Sequence, residues 1–236
     1  MVAVTGKLDH PARGIGSADA EAASGVHRMP VMDGHAEHGQ AEAPVQRGRG
    51  RTRDAATTAA ILDAAMEQLT EKGLAGFTIE GLAARAGVGK TTIYRWWPSR
   101  GAVALDAFLS AVEPQVPYPD TDDFATALQG QVLALVRAFR DTPAGRVVRA
   151  ILAEAQADRD LAEAFRARWL ESRRATGRAV FRKAQESGQL RQDLEIETAI
   201  DLVYGAVYFR LMTDHQPLSD EFVVNLTDYA VRGLRA

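Results

Sequence analysis

The stretch FTIEGLAARAGVGKTTIYRWWP, Phe77 to Pro98, leaves the chain few folds to choose from. Thr78 is a good N-cap, and Ile79, Leu82 and Ala83 follow it at helical spacing. Gly87 lets the chain reverse, and a second short helix is predicted from about Lys90 to Trp97, where Pro98 stops it. Ile79, Leu82, Ala83, Val88, Ile93 and Trp97 are spaced to meet in one small core. Two short helices sharing a core across a tight glycine turn form a helix-turn-helix.

The same periodicity extends in both directions. From Asp54 a helix carries Ile61, Leu62, Ala65, Met66 and Leu69 on one face, and Gly73 ends it. Ser99 caps a fourth helix with Leu105, Phe108 and Leu109 on one side. Beyond the break Glu113–Pro119, helices are predicted over 122–141, 143–158, 160–187, 195–214 and 219–235, with Pro143, Gly188 and Pro217 as punctuation. Ile196, Ile200, Val203, Val207 and Leu211 form one late stripe, and Phe222, Leu226, Tyr229 and Leu234 another. No segment alternates with period two, so the expected fold class is all-α. Residues 1–50 hold few large apolar side chains in no sustained period, and are expected to be a disordered tail.

Composition narrows the function classes. With 236 residues, 46% hydrophobic, one or two domains are expected. Cysteine is absent, which excludes disulfide scaffolds, thiolate zinc sites and cysteine nucleophiles, and a cytoplasmic location is expected. No apolar run approaches the roughly 20 residues of a membrane span, and no secretory signal pattern is visible at the N-terminus. Four of the five histidines lie in the first 50 residues without ligand spacing, so no metal and no cofactor are expected. The net charge of −3 is segregated: residues 47–103 carry nine basic and five acidic side chains, while the flanking segments are acidic. A basic patch confined to the helix-turn-helix suits a polyanionic partner for that segment.

Gly89-Lys90-Thr91 admits two readings. A phosphate-binding loop requires G-x-x-x-x-G-K-[ST] between a buried strand and a long helix. Here Ala84 stands at the first glycine, a helical segment precedes the loop, and Pro98 ends the next helix within about two turns. The DNA reading accounts for more residues. With Ile93 and Trp97 turned inward, Lys90, Thr91, Thr92, Tyr94, Arg95 and Trp96 are left outward or flanking, and most are donors that phosphates and base edges accept. Arg51 and Arg53, in the alternating run Arg47–Arg53, could supply a basic arm to a minor groove or merely solubilise a linker.

FTIEGLAARAGVGKTTIYRWWPSRGAV resembles the N-terminal domain of the tetracycline-repressor (TetR) family of bacterial transcriptional regulators, and the likeness runs from about Asp54 to Leu109. GRVVRAILAEAQAD and YGAVYFRLM resemble the C-terminal half of one subgroup. The resemblance implies a helix-turn-helix DNA-binding domain over 51–112 and a helical regulatory and dimerisation domain over 120–236. It implies phosphate contacts from Thr78, Thr92, Tyr94 and Arg100, and base-edge or adjacent contacts from Lys90, Thr91, Arg95 and Trp96. Gly89 departs from the serine that often opens the recognition helix. The family's logic also implies double-stranded operator DNA as partner, a homodimer, and a hydrophobic or amphipathic small-molecule inducer. Phe108, Phe165, Trp169, Tyr204 and Tyr208 are the aromatic candidates for that inducer, although each is as readily a core residue. The arginines between Arg166 and Lys183 read as a solvated face, because Glu163, Glu171 and Glu186 accompany them. No nucleophile, acid–base pair or ligand triplet points to an enzyme. The rival within the DNA-binding class is a regulator that senses no ligand and answers to a partner protein or to its own abundance.

Overall fold

Helix α1 (Ala55–Lys72) crosses the helix-turn-helix pair α2 (Ile79–Ala86) and α3 (Lys90–Trp96), and packs along α4 (Arg100–Val112). The computed structural model describes residues 55–235, so the expected N-terminal tail, Arg51 and Arg53 lie outside the described residues. Each boundary of the small motif has a local cause. The Thr78 hydroxyl oxygen accepts from the Gly81 N–H at 3.1 Å and caps α2. Gly87 closes α2 at φ +65°, a left-handed turn that glycine adopts without Cβ strain. Gly89 opens α3 with no side-chain cap. The Ser99 oxygen caps α4 by accepting from Ala102 N–H at 3.1 Å. Phe77, Leu82, Ile93 and Trp97 are buried together, as their spacing demands.

A short 3-10 turn, Glu113–Gln115, leads from α4 to the larger helical group. This comprises α5 (Phe124–Asp141), α6 (Ala144–Glu154), α7 (Arg159–Phe165), α8 (Glu171–Glu186), α9 (Ile196–Thr213) and α10 (Asp220–Leu234). Among the described residues the only extended pairing is one isolated bridge, Leu190 to Arg235, so the fold is all-α. The helix predicted over 160–187 is continuous in outline but is interrupted by a π turn, Arg166–Leu170, between α7 and α8. A π turn accommodates an extra residue and offsets the register of the helix beyond it.

The two groups share α4. Val103, Leu105, Ala107 and Phe108 are almost fully buried, and α4 packs on α1 on one side and on α6 and α7 on the other. The described residues 55–235 accordingly belong to one compact unit. At the far end, α10 lies against α5 through Val223, Thr227, Ala230, Val231 and Leu234. The stripe expected on α10 is therefore split. Leu234 faces the core, Phe222 and Leu226 are half-buried, and Tyr229 is 69% exposed. The helix is apolar on two sides, and α5 covers only one. On α9, Ile200, Val203, Val207 and Leu211 are buried, while Leu202 and Phe209 remain exposed on the opposite side.

Where α5 turns into α6, Gly145 meets the backbone of Phe139: a Cβ at Gly145 would stand 2.0 Å from the Phe139 carbonyl oxygen. A backbone atom cannot rotate aside as a side chain can. Gly145→Ala is expected to destabilise the fold by about 1–3 kcal/mol, the usual range for overpacking, read as a lower urea midpoint at unchanged slope.

Candidate functional site

Helix α3 presents two faces. Ile93 is fully buried and Trp97, just past its end, is nearly so, which fixes the opposite side outward. Lys90, Thr91, Tyr94, Arg95 and Trp96 are exposed, with Tyr94 at 52% and Trp96 at 39%, and Thr92 is half-buried. A large exposed aromatic on a seven-residue helix has no folding rationale of its own. Thr78 is exposed at the start of α2, and its cap uses an oxygen lone pair, so its hydroxyl proton can still be donated elsewhere. Lys90 Nζ pairs with Glu80 at 3.0 Å, both exposed, and a pair of that kind is worth little and exchanges readily for a phosphate.

Arg100 sits differently from its neighbours. Its guanidinium donates to the Leu74 carbonyl at 3.0 Å and to Glu154 Oε2 at 2.8 Å, joining the start of α4 to the end of α6. Arg100 thereby ties the small helical motif to the larger group, with its side chain still 37% exposed. The phosphate-loop reading of Gly89–Thr91 meets a direct obstacle. Helix α2 and a left-handed glycine lead into the loop, and no strand delivers it.

A cavity of about 400 Å³ lies between α5, α6, α8 and α9, a volume within the range of small-molecule sites. Phe165, Trp169, Tyr204 and Tyr208 line it, together with Gln131, Leu135, Ile200 and Arg173. Phe108 does not. It is fully buried on α4 and meets the outer side of Trp169 edge-on, with ring centroids 5.0 Å apart. The walls are apolar, and the polar groups are organised into two chains. The Tyr118 and Tyr204 hydroxyls are 2.6 Å apart, and Tyr204 donates to Gln131 Oε1. Separately, Trp169 Nε1 donates to the Tyr208 oxygen at 2.6 Å. Burial pushes the Tyr208 phenol up to about 12, opposed by the Trp169 hydrogen bond and the Arg173 charge, so it is a neutral donor at physiological pH. Burial also raises Tyr118 and Tyr204, and the positive charge of Arg173 pulls against both rises.

The cavity is wired to the helix-turn-helix through α4. Arg168, in the π turn beside Trp169, donates to Asp106 Oδ1. Asp106, on α4, accepts through its other oxygen from Trp97 Nε1 at 2.7 Å. One carboxylate thus joins a wall of the cavity to the end of α3. Sequence reasoning missed Asp106, Gln131 and Arg173. The arginines of the stretch divide: Arg166 and Arg182 are exposed, as expected of a solvated face, and the others are engaged. Arg174 and Arg178 are held by Glu197 with Asp201 and Glu171, Arg168 by Asp106, and Arg173 and Arg174 line the cavity.

A recognition helix exposed on a three-helix support, backed by a helical group with an internal cavity, defines the class: a helix-turn-helix regulator of DNA. Residues 61–107 match the model of the bacterial regulatory proteins of the tetR family, and residues 118–230 match a tetracyclin repressor-like C-terminal domain. The chain is 37% identical over 192 residues to YdeS of Bacillus subtilis, an uncharacterized HTH-type transcriptional regulator, covering 81% of this chain and 96% of that one. It is 28% identical over 186 residues to the DNA-binding transcriptional repressor TetR of Mycobacteroides abscessus, covering 76% and 92%. The crystal structure of the TetR-family regulator SCO0332 superposes with a TM-score of 0.68 at 39% identity, covering 76% of this chain and 99% of that one. The chain belongs to the TetR family, and is a DNA-binding transcriptional regulator.

Asp106 is mostly buried and serves two donors at once. Asp106→Ala would leave the buried Trp97 indole N–H without this acceptor. A loss of about 1–3 kcal/mol in unfolding free energy is expected, the range for orphaning a buried donor. Asp106→Asn, which keeps an acceptor oxygen, should lose less.

Proposed function

We propose that the chain is a homodimeric repressor that holds operator DNA with two copies of α3 and releases it when a small molecule fills the cavity. The observation that carries this reading is the Asp106 connection. A ligand that displaces Trp169 or the π turn must disturb Arg168, and through Asp106 the end of α3. An effector can act only through a difference in its affinity for two states, and the orientation of α4 is the quantity that would differ here.

The proposed DNA contacts follow the exposed surface. Thr78, Thr92 and Tyr94 donate to phosphates. Lys90, Thr91, Arg95 and Trp96 meet base edges or the adjacent backbone. Arg51 and Arg53 are proposed to extend the basic surface, and the acidic remainder of the chain confines binding to this face. Arg100, tied to Glu154 and partly exposed, is proposed to meet a phosphate at the start of α4.

Dimerisation is proposed through α9 and α10. Leu202, Ala206 and Phe209 share one side of α9, and Phe222, Leu226 and Tyr229 share one side of α10. Phe209 is 60% exposed. A helix apolar all round belongs in an interior, so α9 requires a second partner beyond the helices already packed on it. Pairing two chains across these faces presents two recognition helices to one side of a duplex. Sites centred about 34–36 Å apart, one helical turn, then suit a palindromic operator.

The test begins with selection of an operator from random duplexes, followed by titration of variants at fixed salt. Tyr94→Phe should weaken operator and random DNA alike, by about tenfold or more, since a hydrogen bond to a charged group contributes about 1.5–3 kcal/mol. Arg95→Ala should instead narrow the gap between operator and random DNA. Equal affinity of the unaltered protein for both would contradict the reading. Phe209→Glu combined with Tyr229→Glu should yield a folded monomer in sedimentation that no longer prefers the operator. A double variant that stays dimeric would remove α9 and α10 as the interface.

A further inference from the structure

Three polar groups of the cavity, on Gln131, Tyr208 and Arg173, keep donor capacity that the described residues do not use. Gln131 is 1% exposed and lines the cavity, and its Oε1 is used by Tyr204. Its amide nitrogen has no acceptor among the described residues. The Tyr208 oxygen takes the indole N–H of Trp169, which leaves the phenolic proton of Tyr208 undonated. Arg173 uses one N–H on the Val116 carbonyl and stands 5.9 Å from the Trp169 ring centroid. Unlike Arg174 and Arg178 on the same helix, it has no carboxylate partner among the described residues. Asp201, which also lines the cavity, is neutralised by Arg174.

A cation beside apolar walls without a counterion is costly, and a donor turned to a cavity forgoes a hydrogen bond until an acceptor arrives. Both costs are relieved by a single ligand group that carries negative charge and several lone pairs. A carboxylate meets that need: it accepts from a guanidinium fork on one edge and from an amide or hydroxyl on the other. The remaining walls are the faces of Trp169, Phe165 and Tyr204 with Leu135 and Ile200. They favour a flat apolar body.

Resting on the small-molecule reading above, we propose that the cavity takes an organic monoanion, a carboxylate on a flat apolar body, with its charge on Arg173 and its lone pairs on the Gln131 amide and Tyr208 hydroxyl. Arg173 is the residue that sets this preference. A neutral molecule of the same shape would leave the guanidinium uncompensated.

The probes that test this are 2-naphthoate and its neutral counterpart 2-naphthamide, titrated calorimetrically into the full chain. Naphthoate should bind at least about tenfold tighter, a modest share of what a charge-assisted pair can contribute. In Arg173→Gln that ratio should fall to about one, with naphthamide affinity retained. Arg173→Lys should keep part of the preference, and Arg182→Gln, an exposed position of α8 away from the cavity, all of it. Naphthamide binding as well as naphthoate, or a preference that survives Arg173→Gln, overturns the carboxylate class. Leu152→Trp, which fills the cavity, separates the two levels. If both probes bind equally and Leu152→Trp blocks them, the cavity reading stands and only the charge assignment falls. If neither probe binds at millimolar concentration, both fall.

Discussion

Helix α4 is squeezed between two packing layers, with α1 on one side and α6 and α7 on the other, and has almost no free surface. Such a helix has few ways to move. Close-packed interiors switch between discrete arrangements and do not deform smoothly, so a displacement on one side of α4 must be answered on the other. Its polar contacts repeat the same geometry. Arg100 at its first turn holds Glu154 of α6, and Asp106 one and a half turns later holds both Arg168 and Trp97. The three-helix motif would be a separable reading head without α4. With it, the end of α3 is joined through Asp106 to the π turn beside Trp169.

Two features of the larger group remain unsatisfied within one chain. The cavity offers donors and a cation without acceptors, and α9 and α10 offer apolar faces without cover. Ordinary folding pressure removes both kinds of feature, because each is cheaper to delete than to keep. Their persistence in one unit is explained economically if a ligand completes the first and a second copy completes the second. The two meet on α9, where Tyr204 and Tyr208 line the cavity and Leu202 and Phe209 face outward. The ligand and the second subunit proposed above would thus use successive faces of the same helix.

The sequence made the helix-turn-helix legible because everything that shapes it is local. Thr78 caps, Gly87 turns, Pro98 stops, and Ile93 and Trp97 choose the buried side, all within 21 residues. The later helices were legible as lengths, since apolar period alone sets them. What periodicity cannot show is which element faces which. Arg173 and Arg174 are adjacent in a mixed-charge run that reads as solvated, yet both border the cavity, and only Arg174 is tied there by carboxylates. Gln131, Arg173 and Tyr208 come from three helices, so their convergence has no local signature. Phe108 is the converse: its aromatic character suggested a ligand wall, while its place on α4 puts it behind Trp169. The π turn is similarly hidden, because it alters register without altering length.

The absence of native cysteine makes one measurement direct. A nitroxide on Ala75→Cys, an exposed position between α1 and α2, reports the separation of the two reading heads by pulsed dipolar spectroscopy. The account predicts one narrow inter-subunit distance for the protein, and a broadened distribution when Asp106→Ala cuts the link between α4, the π turn and Trp97. An absence of dipolar coupling would contradict the dimer, and an unaltered narrow distribution in the Asp106→Ala protein would contradict the role given to α4.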